Sequence, residues 1–210
     1  MARITVIAGT NGAGKSSIAG AALRENGGAY FNPDEETRTL LTANPGMAES
    51  DANSLAWTES IRQLKAAIER NHNYAFETTL GGNTVTAMLL QAAKAGHEVR
   101  VWYCGLDSPE RHLARIRSRV MHGGHDIPEQ KVRERYDTSR LNLIRLMPHA
   151  TKVVVYDNSA EADPKSGKHP ALVKVLELSR GMMMFPSTAA QMRNTPGWAK
   201  SLVAAANRLA

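Results

Sequence analysis

Residues 9–16 read Gly-Thr-Asn-Gly-Ala-Gly-Lys-Ser, a complete match to the phosphate-binding spacing G-x-x-x-x-G-K-[ST]. This run constrains the fold as tightly as the chemistry. Its glycines let backbone N–H groups turn inward around a polyphosphate. Lys15 is long enough to reach the β- and γ-phosphates, and the Ser16 hydroxyl is a ligand type suited to Mg²⁺. Such a loop must leave a buried parallel strand and enter a helix whose N-terminal dipole faces the anion. Ile4-Thr5-Val6-Ile7-Ala8 supplies the apolar, β-branched strand. Ser16 to Leu23 continues as the helix. Gly9, Thr10, Asn11, Gly12, Ala13, Gly14, Lys15, Ser16 and Ser17 are therefore the expected nucleotide-binding residues, with Ser16 as the metal ligand.

Strands and helices alternate along the rest of the chain, which predicts an α/β fold. The expected architecture is the three-layer sandwich of P-loop NTPases, a mostly parallel sheet of five or six strands with helices on both faces. Gly27-Gly28 breaks the pattern after the first helix. Residues 29–32 read as a second strand ending at Pro33, and 34–42 as a short helix interrupted by Asn44-Pro45-Gly46. A long helix is expected from about Ala48 to Asn71, with Leu55, Ile61, Leu64 and Ile68 on its apolar side. Further strands are expected at 74–77, 97–104 and 151–156, and helices at 83–95 and 108–121, with Pro128 opening another. Residues 163–167 are rich in turn formers, and 171–178 suit either a strand or a short helix. Met182 to Phe185 reads as a core or interface patch. The segment from Pro196 to Ala210 reads as an amphipathic helix with Trp198, Leu202, Val203 and Leu209 among its apolar positions. This predicts a core over residues 1–180, a lid at about 108–140 and a helical appendage over 181–210.

The formal net charge of +6 attracts anions. The basic residues are scattered, which favours a basic active site over a nucleic-acid platform. No apolar run approaches the length that spans a bilayer, and the chain enters its first strand directly, so neither a membrane anchor nor a secretory signal is expected. The single cysteine, Cys104, rules out an internal disulfide framework and fits a reducing, cytoplasmic setting. Its place in the run Val101-Trp102-Tyr103-Cys104 marks a buried structural thiol rather than a nucleophile.

In an open parallel sheet, ligands bind beyond the carboxyl ends of the strands. The predicted strands end on the phosphate loop, on Asp34, on Glu77-Thr78-Thr79, near Asp107 and on Asp157-Asn158-Ser159. Phosphoryl transfer needs a positioned acceptor, charge neutralisation and often a carboxylate near the attacking hydroxyl. Asp34 is the candidate carboxylate, across the crevice from Lys15; it is also a candidate helix N-cap after Pro33. Glu77 is a candidate for assisting Mg²⁺, for holding acceptor hydroxyls, or for capping the helix after Gly81-Gly82. Arg111, Arg115 and Arg119 recur every four residues and share one helix face, where like charges cost stability unless anions answer them. Arg117 lies off that face. The glycine pair Gly123-Gly124 and the later Arg133 and Arg135 complete a pattern like a lid over phosphates. His125, beside the glycines, is a candidate substrate contact.

The set Asn32-Pro33-Asp34-Glu35, Phe76-Glu77-Thr78-Thr79-Leu80, Arg119-Val120, Gly123-Gly124-His125-Asp126-Ile127-Pro128, Arg135-Tyr136 and Tyr156-Asp157-Asn158-Ser159 resembles the zeta-toxin-like P-loop kinases over about residues 1–160. The resemblance implies transfer of the ATP γ-phosphate, with Mg²⁺, to a sugar hydroxyl of UDP-N-acetylglucosamine or a related nucleotide sugar. It implies nucleotide and metal roles for Lys15 and Ser16, a base role for Asp34, and substrate orientation by Glu77 and Thr79. It also implies a phosphate grip by Arg119 and a position near the adenine for Asn158. The second gripping arginine has no unique counterpart: His125, Arg133 and Arg135 are candidates, and Arg135 is the one assigned to catalysis. A protein antitoxin is a further partner the resemblance implies. The alternatives are a nucleotide or polynucleotide kinase and a switch ATPase acting on a macromolecule. The chain has neither an apolar strand ending in Asp-Glu nor a Leu-Ser-Gly-Gly-Gln-like signature, both features of the latter class.

Overall fold

A computed structural model describes residues 1–20, 23, 25, 27–160 and 172–209. Its framework is one sheet of six strands: β1 (Arg3–Ala8), β2 (Tyr74–Thr78), β3 (Glu98–Gly105), β4 (Lys152–Asp157), β5 (Val173–Ser179) and β6 (Met182–Phe185). The order across the sheet is β2-β1-β3-β4-β5-β6. The first four in that order are parallel, and β5 and β6 add an antiparallel pair at the far edge. The helices are α1 (Pro33–Ala43), α2 (Glu49–Glu69), α3 (Asn83–Lys94), α4 (Pro109–Met121), α5 (Glu129–Leu146), α6 (Ala189–Arg193) and α7 (Lys200–Asn207). The expected α/β architecture with a mostly parallel sheet is present.

Alternation along the strands separates two cores. Ile4, Val6 and Ala8 of β1, Val99, Val101 and Tyr103 of β3, and Val153 and Val155 of β4 share the large cluster with Leu64, Leu89, Leu143 and Leu202 of the helices. Ile7 and Cys104 form a smaller cluster with Ala13, against which Leu23, Tyr30 and Trp102 pack. Burial pushes the Cys104 thiol up to about 11. The C-terminal residues belong to the large core. Trp198 is 6% exposed, and a Cβ on Gly105 would stand 2.2 Å from its ring. Gly105 therefore admits an indole over the end of β3.

Several local expectations change. Residues 29–32 do not form a strand; Phe31 alone bridges Phe76, through Phe31 N–H to the Ala75 carbonyl and Glu77 N–H to the Phe31 carbonyl. Pro33 opens α1 immediately afterwards and ends the pairing. Leu55 is 50% exposed, because α2 buries its small residues Ala52, Ala56, Ser60 and Ala67 together with Leu64. Residues 173–179 are a strand, and Met182 to Phe185 lies on an edge with Met182 and Met184 exposed. The final helix is confined to Lys200–Asn207 behind a 3₁₀ turn at Gly197–Ala199, leaving Leu209 beyond its end. The turn-rich residues 163–167 lie outside the described residues. Among the described residues, no helix is long and apolar enough to cross a membrane.

Candidate active site

The loop after β1 is shaped by backbone that only glycine tolerates. Gly9 has φ +136, and a Cβ there would stand 2.1 Å from the Cys104 carbonyl oxygen of β3. The loop runs into a π-helical turn, Ser16–Gly20. Lys15 is buried, and its Nζ lies 3.5 Å from the Glu77 carboxylate; both side chains are 7% exposed. Ser16 Oγ donates to Glu77 Oε2 at 2.7 Å. This cluster follows from strand register: parallel pairing sets Ile7 beside Glu77 and so places the end of β2 next to the loop. Glu77 therefore does not cap the next helix, whose N-cap Gly82 has no side-chain bond.

The rest of the cleft lining includes residues of α1, α2 and the end of α4. Asn32, not Asp34, is the N-cap of α1; its side-chain oxygen accepts the Asp34 N–H at 3.0 Å, while its Nδ2 donates to Ser16 Oγ at 3.5 Å. The Asp34 carboxylate is thereby not used in capping. Arg119 Nη1 lies 3.8 Å from Asp34 Oδ2, the two side chains being 37% and 50% exposed. Arg119 Nη2 also donates to the His125 carbonyl at 2.7 Å. The His125 ring contacts the Glu49 carboxylate at the start of α2. Lys15, Ser16, Glu77, Asn32, Asp34, Arg119, His125 and Asn158 all line one open cleft of about 1480 Å³.

The remaining candidates divide. Asn158 is 4% exposed; its Nδ2 donates to the Ala13 carbonyl at 2.8 Å, and its own carbonyl accepts from Arg115 Nη2 at 2.7 Å. Arg135 Nη1 donates to Asn11 Oδ1 at 2.8 Å, and its burial lowers its pKa, countered by the Glu134 and Asp34 charges. Neither Arg135 nor Thr79 lines the cleft. The Thr79 hydroxyl accepts from Gly81 N–H at 3.4 Å, and its carbonyl accepts from Ser139 Oγ at 2.6 Å. Arg133 is spent on exposed pairs with Glu110 and Glu129, both at 2.7 Å. Asp107 pairs with Arg111 at 2.8 Å, away from the cleft lining. Sequence reasoning missed Asn32 as the N-cap, Glu49 as the partner of His125, and His112, whose Nδ1 lies 2.7 Å from the Asn11 carbonyl oxygen. The Asn-Pro start of a helix was a readable signal for the first. The other two contacts span 76 and 101 residues and leave no local pattern.

Residues 4–141 match the family described as AAA domain, AAA_33. An uncharacterized protein of Haemophilus influenzae is 33% identical over 128 residues, covering 61% of this chain and 88% of that protein. The fold is similar to a chain of the AvrRxo1-ORF1:-ORF2 crystal structure with ATP, with a TM-score of 0.68, 16% identity and coverage of 94% of this chain. This chain spans 64% of that one. A chain of the PezAT chromosomal toxin–antitoxin system of Streptococcus pneumoniae superposes with a TM-score of 0.52 and 15% identity, covering 99% of this chain and 87% of that one. The phosphate loop, the parallel sheet and the match over residues 4–141 together make this chain a P-loop member of the AAA_33 family of AAA domains.

Proposed function

We propose that this protein is an ATP-dependent phosphotransferase that moves the γ-phosphate to an alcohol. The observation that carries the reading is the Asp34 carboxylate in the same cleft as Lys15 and the phosphate loop. A carboxylate there can receive the proton of an acceptor alcohol; a switch ATPase would turn the same group on water, so the acceptor decides between the two readings. The acceptor oxygen gives its proton to Asp34 and attacks the γ-phosphorus. The bond from that phosphorus to the β–γ bridging oxygen breaks, and ADP leaves. Lys15 and Arg119 neutralise charge on the transferring group.

The site suits Mg²⁺. Ser16 Oγ and Glu77 Oε2, 2.7 Å apart, are hard oxygen donors beside the phosphate loop. Among the described residues no group of three His, Cys, Asp or Glu side chains is arranged to hold a metal alone. Mg²⁺ asks for less from a protein, since substrate phosphates and water complete its shell. When bound, the ion would be held through Ser16, with Glu77 directing its water, and would offset charge on the β- and γ-phosphates. Lys15, which pairs with Glu77, would reach phosphate from the same cleft.

The zeta-toxin resemblance makes a nucleotide sugar the first acceptor to test, and the likeness to a toxin–antitoxin structure supports a search for a protein antitoxin. An acceptor screen with labelled ATP, spanning UDP-sugars, free sugars and nucleotides, identifies the product by mass. Transfer to an alcohol that Lys15→Ala abolishes is the expected result. ATP turnover stimulated only by a macromolecule, with no phosphorylated small molecule, would replace the kinase reading with the switch reading.

A further inference from the structure

The phosphate loop is held from outside by both helices of the 108–140 region. The carbonyl of Asn11 faces His112 Nδ1 of α4 at 2.7 Å. The side-chain oxygen of the same residue accepts from Arg135 Nη1 of α5 at 2.8 Å. Thr10 Oγ1 donates to the Arg135 carbonyl at 3.2 Å. Gly12 lies so close to α4 that a Cβ would stand 2.8 Å from the His112 carbonyl oxygen. Three consecutive loop residues thus meet residues of two helices a hundred or more positions downstream.

A phosphate loop that turns its N–H groups inward turns carbonyls outward, and those carbonyls need donors. His112 serves Asn11, and Asn158 serves Ala13. Because a carbonyl only accepts, His112 Nδ1 carries the proton. Burial pushes His112 down to about 4, so the ring is neutral and holds that tautomer at physiological pH. Its ring meets Tyr136 edge-on, with centroids 5.7 Å apart. Arg135 packs its stem against Gly81, where a Cβ would stand 2.8 Å from Arg135 Cγ. The guanidinium is therefore aimed by the turn after β2.

We propose that His112 and Arg135 are positioning residues that brace Thr10, Asn11 and Gly12 in the nucleotide-binding shape, and that Arg135 acts through Asn11 rather than by gripping the transferring phosphate. The inference rests on the ATP-binding half of the proposed function and on no particular acceptor. An unbraced loop must order itself when phosphate arrives, and that ordering weakens binding.

The test is a double-mutant cycle on Mg-ATP affinity, measured by calorimetry with Asn11→Ala, Arg135→Met and the pair. Methionine keeps the stem against Gly81 and removes the guanidinium. Arg135→Met alone should weaken ATP binding about tenfold, the scale of one charge-assisted hydrogen bond. In the Asn11→Ala background it should cost less than about twofold. Arg135→Lys, which keeps a cation and a donor, should recover most of the lost affinity. His112→Phe, which keeps the ring contact with Tyr136 but removes the donor, should raise the ATP Kd by about the same factor. Equal losses from Arg135→Met in both backgrounds would show a direct phosphate contact and overturn the proposal, as would unchanged affinity in Arg135→Met and His112→Phe. A wild-type protein that does not bind Mg-ATP would instead overturn the proposed function itself.

Discussion

Replacing Asp34 by asparagine separates what the residue does for the fold from what it does for chemistry. In the fold, Asp34 makes one ion pair among the described residues, with Arg119 at 3.8 Å, and both side chains are partly open to water. Such a pair contributes up to about 1 kcal/mol and is screened by salt. Asparagine preserves the shape, and the Asn32 cap of α1 uses only the backbone N–H of residue 34. The fold should therefore lose at most about 1 kcal/mol, which in a chain of this size moves Tm by roughly 2–4 °C. A general base contributes about a hundredfold or more, equal to about 2.7 kcal/mol of barrier at tenfold per 1.36 kcal/mol. The chemical loss thus exceeds the largest structural loss by more than twofold in energy. The assay is single-turnover transfer to the identified acceptor at saturating ATP, beside calorimetric ATP affinity and a thermal melt. Expected are transfer slowed at least about a hundredfold, ATP affinity within about threefold of wild type, and a small Tm change. Transfer at the wild-type rate removes Asp34 from the proton path. Slow transfer accompanied by an equal loss of ATP affinity assigns the residue to binding.

Other consequences are independent of the acceptor. His112 titrates near 4 when folded and near 6.5 when unfolded, so between those values the unfolded chain holds the extra proton and stability rises with pH. Acidification from about pH 7 to about pH 3 should remove about 3 kcal/mol through this residue; urea titrations should show the stability of wild type relative to His112→Phe falling by that amount, and a constant difference contradicts the assignment. Trp198→Ala should destabilise by about 3–5 kcal/mol, because the indole fills the space over Gly105 and faces Tyr103 with ring centroids 6.5 Å apart. A loss under about 1 kcal/mol would mean that the C-terminal segment is dispensable to the core. Iodoacetamide at pH 8 should label Cys104 at least about a hundredfold more slowly in the native protein than in urea, since the thiol is buried and its pKa is raised. Comparable rates would place the thiol at the surface.

The parts legible in the sequence were those governed by short-range rules. The phosphate loop announced itself because its backbone admits only glycine at Gly9, where any Cβ meets the Cys104 carbonyl. β4 announced itself because its buried centre, Val153 to Val155, is a continuous apolar run, and β3 through the apolar run Val101 to Cys104 in its second half. The pattern failed where size rather than polarity decides burial. On α2 Leu64 is buried and Ile61 and Ile68 pack against the core as expected, but Leu55 stays out while the alanines Ala52, Ala56 and Ala67 go inside. The 29–32 run failed for a different reason: its β-formers were real, but Pro33 commits the chain to α1 after one bridge. Within the site, residue types were legible and pairings were not. Glu77 stood open between three roles until the β1–β2 register set it against Ser16 and Lys15.

The arginine face of α4 shows what that missing information decides. Three guanidiniums at four-residue spacing repel one another, and the sequence left open whether a single bound anion answers all of them. Each has a different answer. Arg111 is met by Asp107 at 2.8 Å, Arg115 by the carbonyl of Asn158 at 2.7 Å, and Arg119 by Asp34 at 3.8 Å. The shortest two contacts tie α4 to the ends of β3 and β4, so they hold the helix in place. The longest of the three is the Arg119–Asp34 pair, made by Nη1, while Arg119 Nη2 is anchored on the His125 carbonyl at 2.7 Å. A weak pair is the kind that a phosphate oxygen displaces at little cost. On the proposed reading, Arg119 Nη1 exchanges Asp34 for phosphate while Arg111 and Arg115 keep α4 still, and that exchange frees the proposed base.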